Sequence, residues 1–145
     1  MLRRRCRRGQ SYVEFIMILP LFLLLIAGVI GFGRLLYTRL ATEAAAWSGA
    51  RHAIATMDRD RGVNQAHLAS RYTLSGFALD PNTAHTQVSV WGDYGAVGQW
   101  EGGAQVRVQV CYDVPAPPVP LGEAISPSRV CSQYAMPVYP WKSSW

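Results

Sequence analysis

A single carboxylate, Glu14, stands at the entrance of a long apolar stretch, GQSYVEFIMILPLFLLLIAGVIGFG, residues 9–33. No further charge occurs until Arg34. An acid at the mouth of a membrane-length segment is costly unless it faces water or meets a cation, so Glu14 is the first candidate for chemistry. That chemistry is ion pairing rather than bond breaking. Were the chain cut after Gly9, Gln10 would carry a new ammonium and Glu14 would be the fifth residue of the mature chain. The amine of one subunit could then meet the carboxylate of its neighbour. The plainer alternative leaves Glu14 at the headgroup level without a task.

Other reactive side chains fall into no catalytic pattern. His52, His67 and His85 are scattered, with no ligand spacing to one another or to the cysteines. No G-x-S-x-G or H-E-x-x-H occurs. Asp58, Asp60, Gly62 and Asn64 resemble the start of a calcium loop, but glycine is fifth rather than sixth and position twelve is Ala69 rather than Glu. The glycine-rich run 92–103, GDYGAVGQWEGG, lacks the lysine ending of a phosphate loop. The expectation is a protein that is not an enzyme and needs no metal or cofactor. Of three cysteines, Cys6 lies in the leader, whereas Cys111 and Cys131 lie in the distal part. If the latter two face an oxidising compartment they are an obvious pair; otherwise they are two unrelated buried thiols.

The charge distribution says which side of a membrane each part occupies. The formal net charge is +5. It resides in Arg3, Arg4, Arg5, Arg7 and Arg8, because the remaining acids and bases cancel. Positive charge abutting an apolar span stays cytoplasmic and orients it. The rest has no basic cluster, which argues against nucleic acid as a partner.

These residues need elements to hold them. Residues 15–33 span roughly 28 Å as a helix, about one hydrocarbon core. Pro20 sits inside it and should kink it. Gly28, Gly31 and Gly33 make a strip of small residues. Beyond it, Leu36, Leu40, Ala44, Trp47, Ala50 and Ile54 recur at helical spacing, the stripe expected to lie on a soluble domain. The helix should run from about residue 12 to 57, with the charged run 58–61 and Gly62 as its stop. A short second helix is expected around 63–73. From residue 80 the pattern becomes that of strands. One ends at Trp91 after Val88 and Val90. A second alternates Val106, Val108, Val110, Tyr112 and Val114 against Arg107, Gln109, Cys111 and Asp113. PAPPVP, 115–120, can only connect. A last strand, about 129–136, turns Val130, Ser132, Tyr134 and Met136 inward and Cys131 and Gln133 outward. The tail with Trp141 and Trp145 reads as irregular. The divisions are thus a basic leader 1–9, a spanning helix 10–33, its amphipathic continuation 34–57, and a head 58–145. The fold class is α+β, a long membrane helix continuing into a small antiparallel sheet.

Residues 7–53 carry a resemblance. GQSYVEF, the LPLFLLL run, GFGRLLY and AAAWSGAR together resemble the TadE-like minor pseudopilins of tight-adherence (Tad/Flp) pili. The basic leader, Gly9, Glu14 and Phe15 look like a type IV prepilin processing signature. The resemblance implies a pilin-like fold and cutting between Gly9 and Gln10 by prepilin peptidase on the cytoplasmic side. It implies residence in the bacterial inner membrane with the head in the periplasm. Other pilins or pseudopilins and the Tad assembly platform would be partners, in the service of adhesion and biofilm formation. Major Flp pilins are much shorter and usually carry Glu-Tyr, so Glu14-Phe15 and the extra head imply a rare assembly subunit. The competing expectation is an uncut, single-pass, membrane-anchored periplasmic binding or scaffold protein.

Overall fold

The computed structural model describes residues 10–56, 58–91, 103–114 and 129–138, with side chains from residue 12 onward. The leader 1–9, residues 92–102, the proline-rich connector and the tail lie outside the described residues, and the expectations for those segments lie outside them too. The chain divides into two units, Met1–Leu35 and Leu36–Trp145. Helix α1, Gln10–Ala55, contributes to both and contains Pro20. No described peptide bond is cis.

In the first unit the apolar residues of α1 stay uncovered. Every large hydrophobic side chain from Tyr12 to Phe32 is exposed, from 39% at Ile26 to 76% at Met17. A Cβ placed on Gly28, Gly31 or Gly33 would meet nothing within 4 Å. These glycines are therefore not required by any contact within the described chain.

The second unit is a two-layer α+β domain, as the strand pattern implies. Helix α2, Arg59–Gly76, is longer than expected. The run at 58–61 starts a helix instead of only ending one. Asp58 is its N-cap, its carboxylate accepting from Asp60 N–H at 3.4 Å. Gly62 lies inside the first turns and is buried. Helix α1 ends earlier, at Ala55, with Thr56 Oγ1 donating to the Ala53 carbonyl at 3.0 Å. Helix α2 ends through Ala78, whose φ of 54° is left-handed. Leu79 N–H returns to the Leu74 carbonyl at 3.1 Å and Ala78 N–H to Ser75 at 3.0 Å, the paired bonds of a Schellman turn. Alanine at the position where glycine is usual is why this end is hard to read.

Three antiparallel strands complete the unit, in the order β1-β2-β3: β1 Ala84–Trp91, β2 Gln105–Asp113 and β3 Arg129–Pro137. Val106, Val108, Val110 and Tyr112 are buried, so β2 alternates as its pattern dictates. The register places Val90 opposite Val106 and Tyr134 opposite Val108. Beneath this face lies a core of Ala41, Ala45, Ala46, Ala50, Ala53, Ala66 and Leu74.

The helix face that packs is not the one expected. Thr38, Ala41, Thr42, Ala45, Ala46, Gly49, Ala50 and Ala53 are buried. Leu36, Leu40 and Trp47 are 45%, 61% and 42% exposed, and only Ala50 of the expected stripe is fully enclosed. The reason is distance. At Gly49 an added Cβ would stand 2.5 Å from Ser70 Oγ and 3.2 Å from both the Ala66 carbonyl oxygen and Val108 Cγ1. Helices α1 and α2 and strand β2 meet there, and only small residues allow it. Tyr134 also departs from expectation, remaining 42% exposed on the inward side of β3.

Gly49→Ala therefore over-packs a three-way junction and is expected to lower stability by ~1–3 kcal/mol. Gly28→Ala, in open space, should not. Thermal unfolding of the two full-length variants in detergent, monitored by near-ultraviolet circular dichroism, checks the contrast.

Candidate functional site

Two sets of residues compete for attention: the uncovered part of α1, and the polar face of the sheet. On α1, Glu14 is exposed and Phe15 is 62% exposed. Among the described residues no ion pair involves Glu14. Gln10 is the first residue assigned to the helix. Gly9, Arg3, Arg4, Arg5, Arg7 and Arg8, expected to form the cut and the orienting leader, lie outside the described residues. The described part of the helix is a surface with bulky apolar groups all round and one carboxylate near its start. In water such a surface is unfavourable at about 25 cal/mol per Å² of apolar area. Its chemistry is association with lipid or with other apolar helices.

The head is held by polar interactions at the sheet. Cys111 and Cys131 are directly opposed in the β2–β3 register and are joined by a disulfide. Both point to the polar face, as the alternation implies, and Cys131 is exposed. The bridge links positions 20 residues apart and so closes across the proline-rich connector.

Two positions along β2, Asp113 accepts from Arg129 Nε at 2.7 Å and Nη2 at 3.1 Å, a two-pronged ion pair. His85 Nε2 lies 3.8 Å from the same carboxylate. The Arg129 hydrogen bonds hold the Asp113 carboxyl below its ordinary range; desolvation opposes this, and the charges of Arg129 and His85 add to the lowering. Arg129 is raised by the same bond and charge. Sequence reasoning missed this cluster because its members come from three strands and meet only through register.

A second group that the sequence did not reveal ties α1 to the sheet from inside. Thr42 Oγ1 donates to the Arg39 carbonyl at 2.9 Å. Having one proton, it must accept from Ser132 Oγ, also at 2.9 Å. Ser70 Oγ donates to the Ala45 carbonyl at 3.1 Å, binding α2 to α1. Tyr37 closes the far side, its ring edge-on to Phe77 at 5.9 Å and its hydroxyl donating to the Phe77 carbonyl at 2.8 Å. The only sequence signal for these was the presence of Thr and Ser among alanines on one helical face.

No reaction centre assembles from these groups. Among the described residues no group of three or more His, Cys, Asp or Glu could hold a metal ion. The arrangement defines a class: a chain with one N-terminal helix long and apolar enough to cross a membrane, bearing a small α+β head with an antiparallel sheet and a disulfide. Within that class the segment has a family. Residues 9–51 match the family of TadE-like proteins, a match that associates the chain with Tad pili. The matched segment covers Gly9, Gln10, Glu14 and Phe15 and ends in the packed part of α1. No curated protein matches the chain, and no solved structure matches it.

Both fastenings of the sheet can be tested. Replacing both cysteines by serine is expected to cost ~3 kcal/mol in the chain-entropy account, read as a lower midpoint in urea for the full chain in detergent. The Asp113 pair gives an acid limb. Its folded carboxyl is depressed, so its contribution is complete above the unfolded carboxylate pKa and lost as pH falls through the lower folded value. The melting temperatures of the protein and of Asp113→Asn should therefore differ near neutrality and converge below about pH 4.

Proposed function

We propose that this protein is a minor pseudopilin of a Tad/Flp-type pilus, matured by prepilin peptidase and used in pilus assembly, and through it in adhesion and biofilm formation. The observation that carries the reading is the uncovered apolar surface of α1 with Glu14 at its start, lying inside the segment that matches TadE-like proteins. Cutting between Gly9 and Gln10 removes the five leader arginines. Left in place, they would have to enter a packed helical bundle at a desolvation cost of several kcal/mol per ion. The new ammonium of one subunit then pairs with Glu14 of a neighbour, and Phe15 packs beside it. Before assembly lipid solvates the helix; afterwards neighbouring helices do.

The arginines hold the leader in the cytoplasm, which puts the head in the periplasm. A disulfide between Cys111 and Cys131 supports that arrangement, because such bonds persist in oxidising compartments. The proposed partners are the inner membrane, prepilin peptidase, other pilins or pseudopilins and the assembly platform. The head argues for a rare assembly subunit and against the bulk filament.

Intact-mass measurement under non-reducing conditions tests this. Coexpression with an active prepilin peptidase should yield a chain beginning at Gln10. Glu14→Gln should reduce pilus production. Retention of Met1 with the active peptidase would return the protein to the uncut, membrane-anchored scaffold reading.

A further inference from the structure

We infer that the open edge of β3, together with the outer face of α1, is a docking groove for an extended strand from another polypeptide chain, with apolar side chains at every second position. The groove has a volume of about 630 Å³. Its helix side is Leu40, Ala44 and Trp47, and its strand side is Cys131 to Tyr134. Leu40 is 61% and Trp47 42% exposed, with the Arg51 guanidinium 5.3 Å from the centre of the Trp47 ring, so this part of the stripe is only partly covered within the described chain although Ala50 and Ile54 of the same stripe pack in the core.

The backbone phase specifies what kind of partner fits. Val138 N–H donates to the Ala104 carbonyl at 2.7 Å, one rung beyond the Gln105–Pro137 pair. Rungs of an antiparallel pair alternate between bonded and unbonded. The rungs Val108–Tyr134 and Val110–Ser132 are therefore bonded to β2, and Gln109–Gln133 and Cys111–Cys131 are not. The Cα separation of 4.0 Å at the cysteine rung agrees, since unbonded rungs are the closer ones. The N–H and C=O groups of Cys131 and Gln133 consequently point away from β2, toward the groove. This explains how both residues line it although their side chains lie on the other face of the sheet.

β3 is an edge strand, with no described strand on its far side. Sheet edges are ordinarily guarded by lysine, proline or a bulge. Here Arg129 is held by Asp113, Pro137 stands at the far end, and the middle, Cys131 to Ala135, carries no guard. Two donor–acceptor pairs about 6.8 Å apart are the repeat of a second extended backbone. Side chains on alternate residues of that backbone would fall on Leu40, Trp47 and the exposed ring of Tyr134. Strand addition of this type takes affinity from main-chain bonds and selectivity from alternate side chains. Arg39 and Glu43 at the rim satisfy each other at 3.3 Å, so the groove favours an uncharged segment. This surface is independent of whether Gly9 is a processing site.

The test uses the full chain in detergent micelles and a capped hexapeptide of alternating valine and threonine. Residue-resolved amide exchange should slow at Cys131 and Gln133 by at least about tenfold on adding millimolar peptide, with Ser132 and Tyr134 unchanged. The same peptide with every backbone nitrogen methylated should have no effect. Leu40→Asp, at an exposed position, should weaken the peptide response without lowering the melting temperature. Gln133→Pro should also melt normally, because its N–H is not bonded to β2, yet lose the response at Cys131. Absence of slowing, equal slowing by the methylated peptide, or a large fall in melting temperature for Gln133→Pro would overturn the proposal. So would amides at Cys131 and Gln133 that are already slow without peptide, since this chain would then close its own edge.

Discussion

One helix has to be solvated in two incompatible ways, and the rest of the structure depends on that constraint. From Tyr12 to Phe32, α1 presents bulky apolar side chains in every direction and nothing in the described chain covers them. From Thr38 to Ala53 the same helix turns a face of alanine, threonine and glycine to a valine-rich sheet. Side-chain size decides which environment each half accepts. Leucine and phenylalanine need lipid or other helices around them. Alanine and glycine let backbone approach backbone, with little apolar area gained per residue but tight contact at many points.

The head compensates for a core of small residues by cross-linking it with polar groups. Thr42 to Ser132 and Ser70 to the Ala45 carbonyl are buried hydrogen bonds between elements, and both are fully satisfied. On the opposite side of the sheet the disulfide and the Asp113–Arg129 pair join β2 to β3 at neighbouring positions on one face. The sheet is thereby fastened from both faces, and β3 is held firmly although, among the described residues, it is bonded to a strand along one side only.

A membrane-capable helix, a match to TadE-like proteins over residues 9–51 and a periplasm-compatible disulfide head support a common account. In the function proposed above, the apolar helix serves assembly and the head presents a specific surface. In that account the helix supplies strong, unselective association, while the head's exposed stripe and open strand edge supply selectivity. Leu36, Leu40 and Trp47, large apolar residues left partly exposed while Ala50 and Ile54 of the same stripe pack in the core, are compatible with that proposal.

Much of this was legible in the residues alone. The apolar span, the period-two alternation of Val106 to Tyr112 and the outward cysteines are local patterns. They depend only on helix and strand geometry, which every chain shares. What the pattern could not decide was which of two helical stripes would pack. Leu36, Leu40 and Trp47 have the greater hydrophobicity, yet Ala41, Ala45 and Gly49 have the better fit. Fit is a property of the gap between α1, α2 and β2 and exists only once all three are in place. The same holds for Asp113, Arg129 and His85, brought together by strand register, and for α2, whose end at Ala78 depends on returning bonds rather than on a glycine. The sequence determined which segments are helix, strand and membrane-length rod, because those choices are made residue by residue. Only the tertiary structure decided which faces close on each other and which stay open, because that depends on distances between elements far apart in the chain.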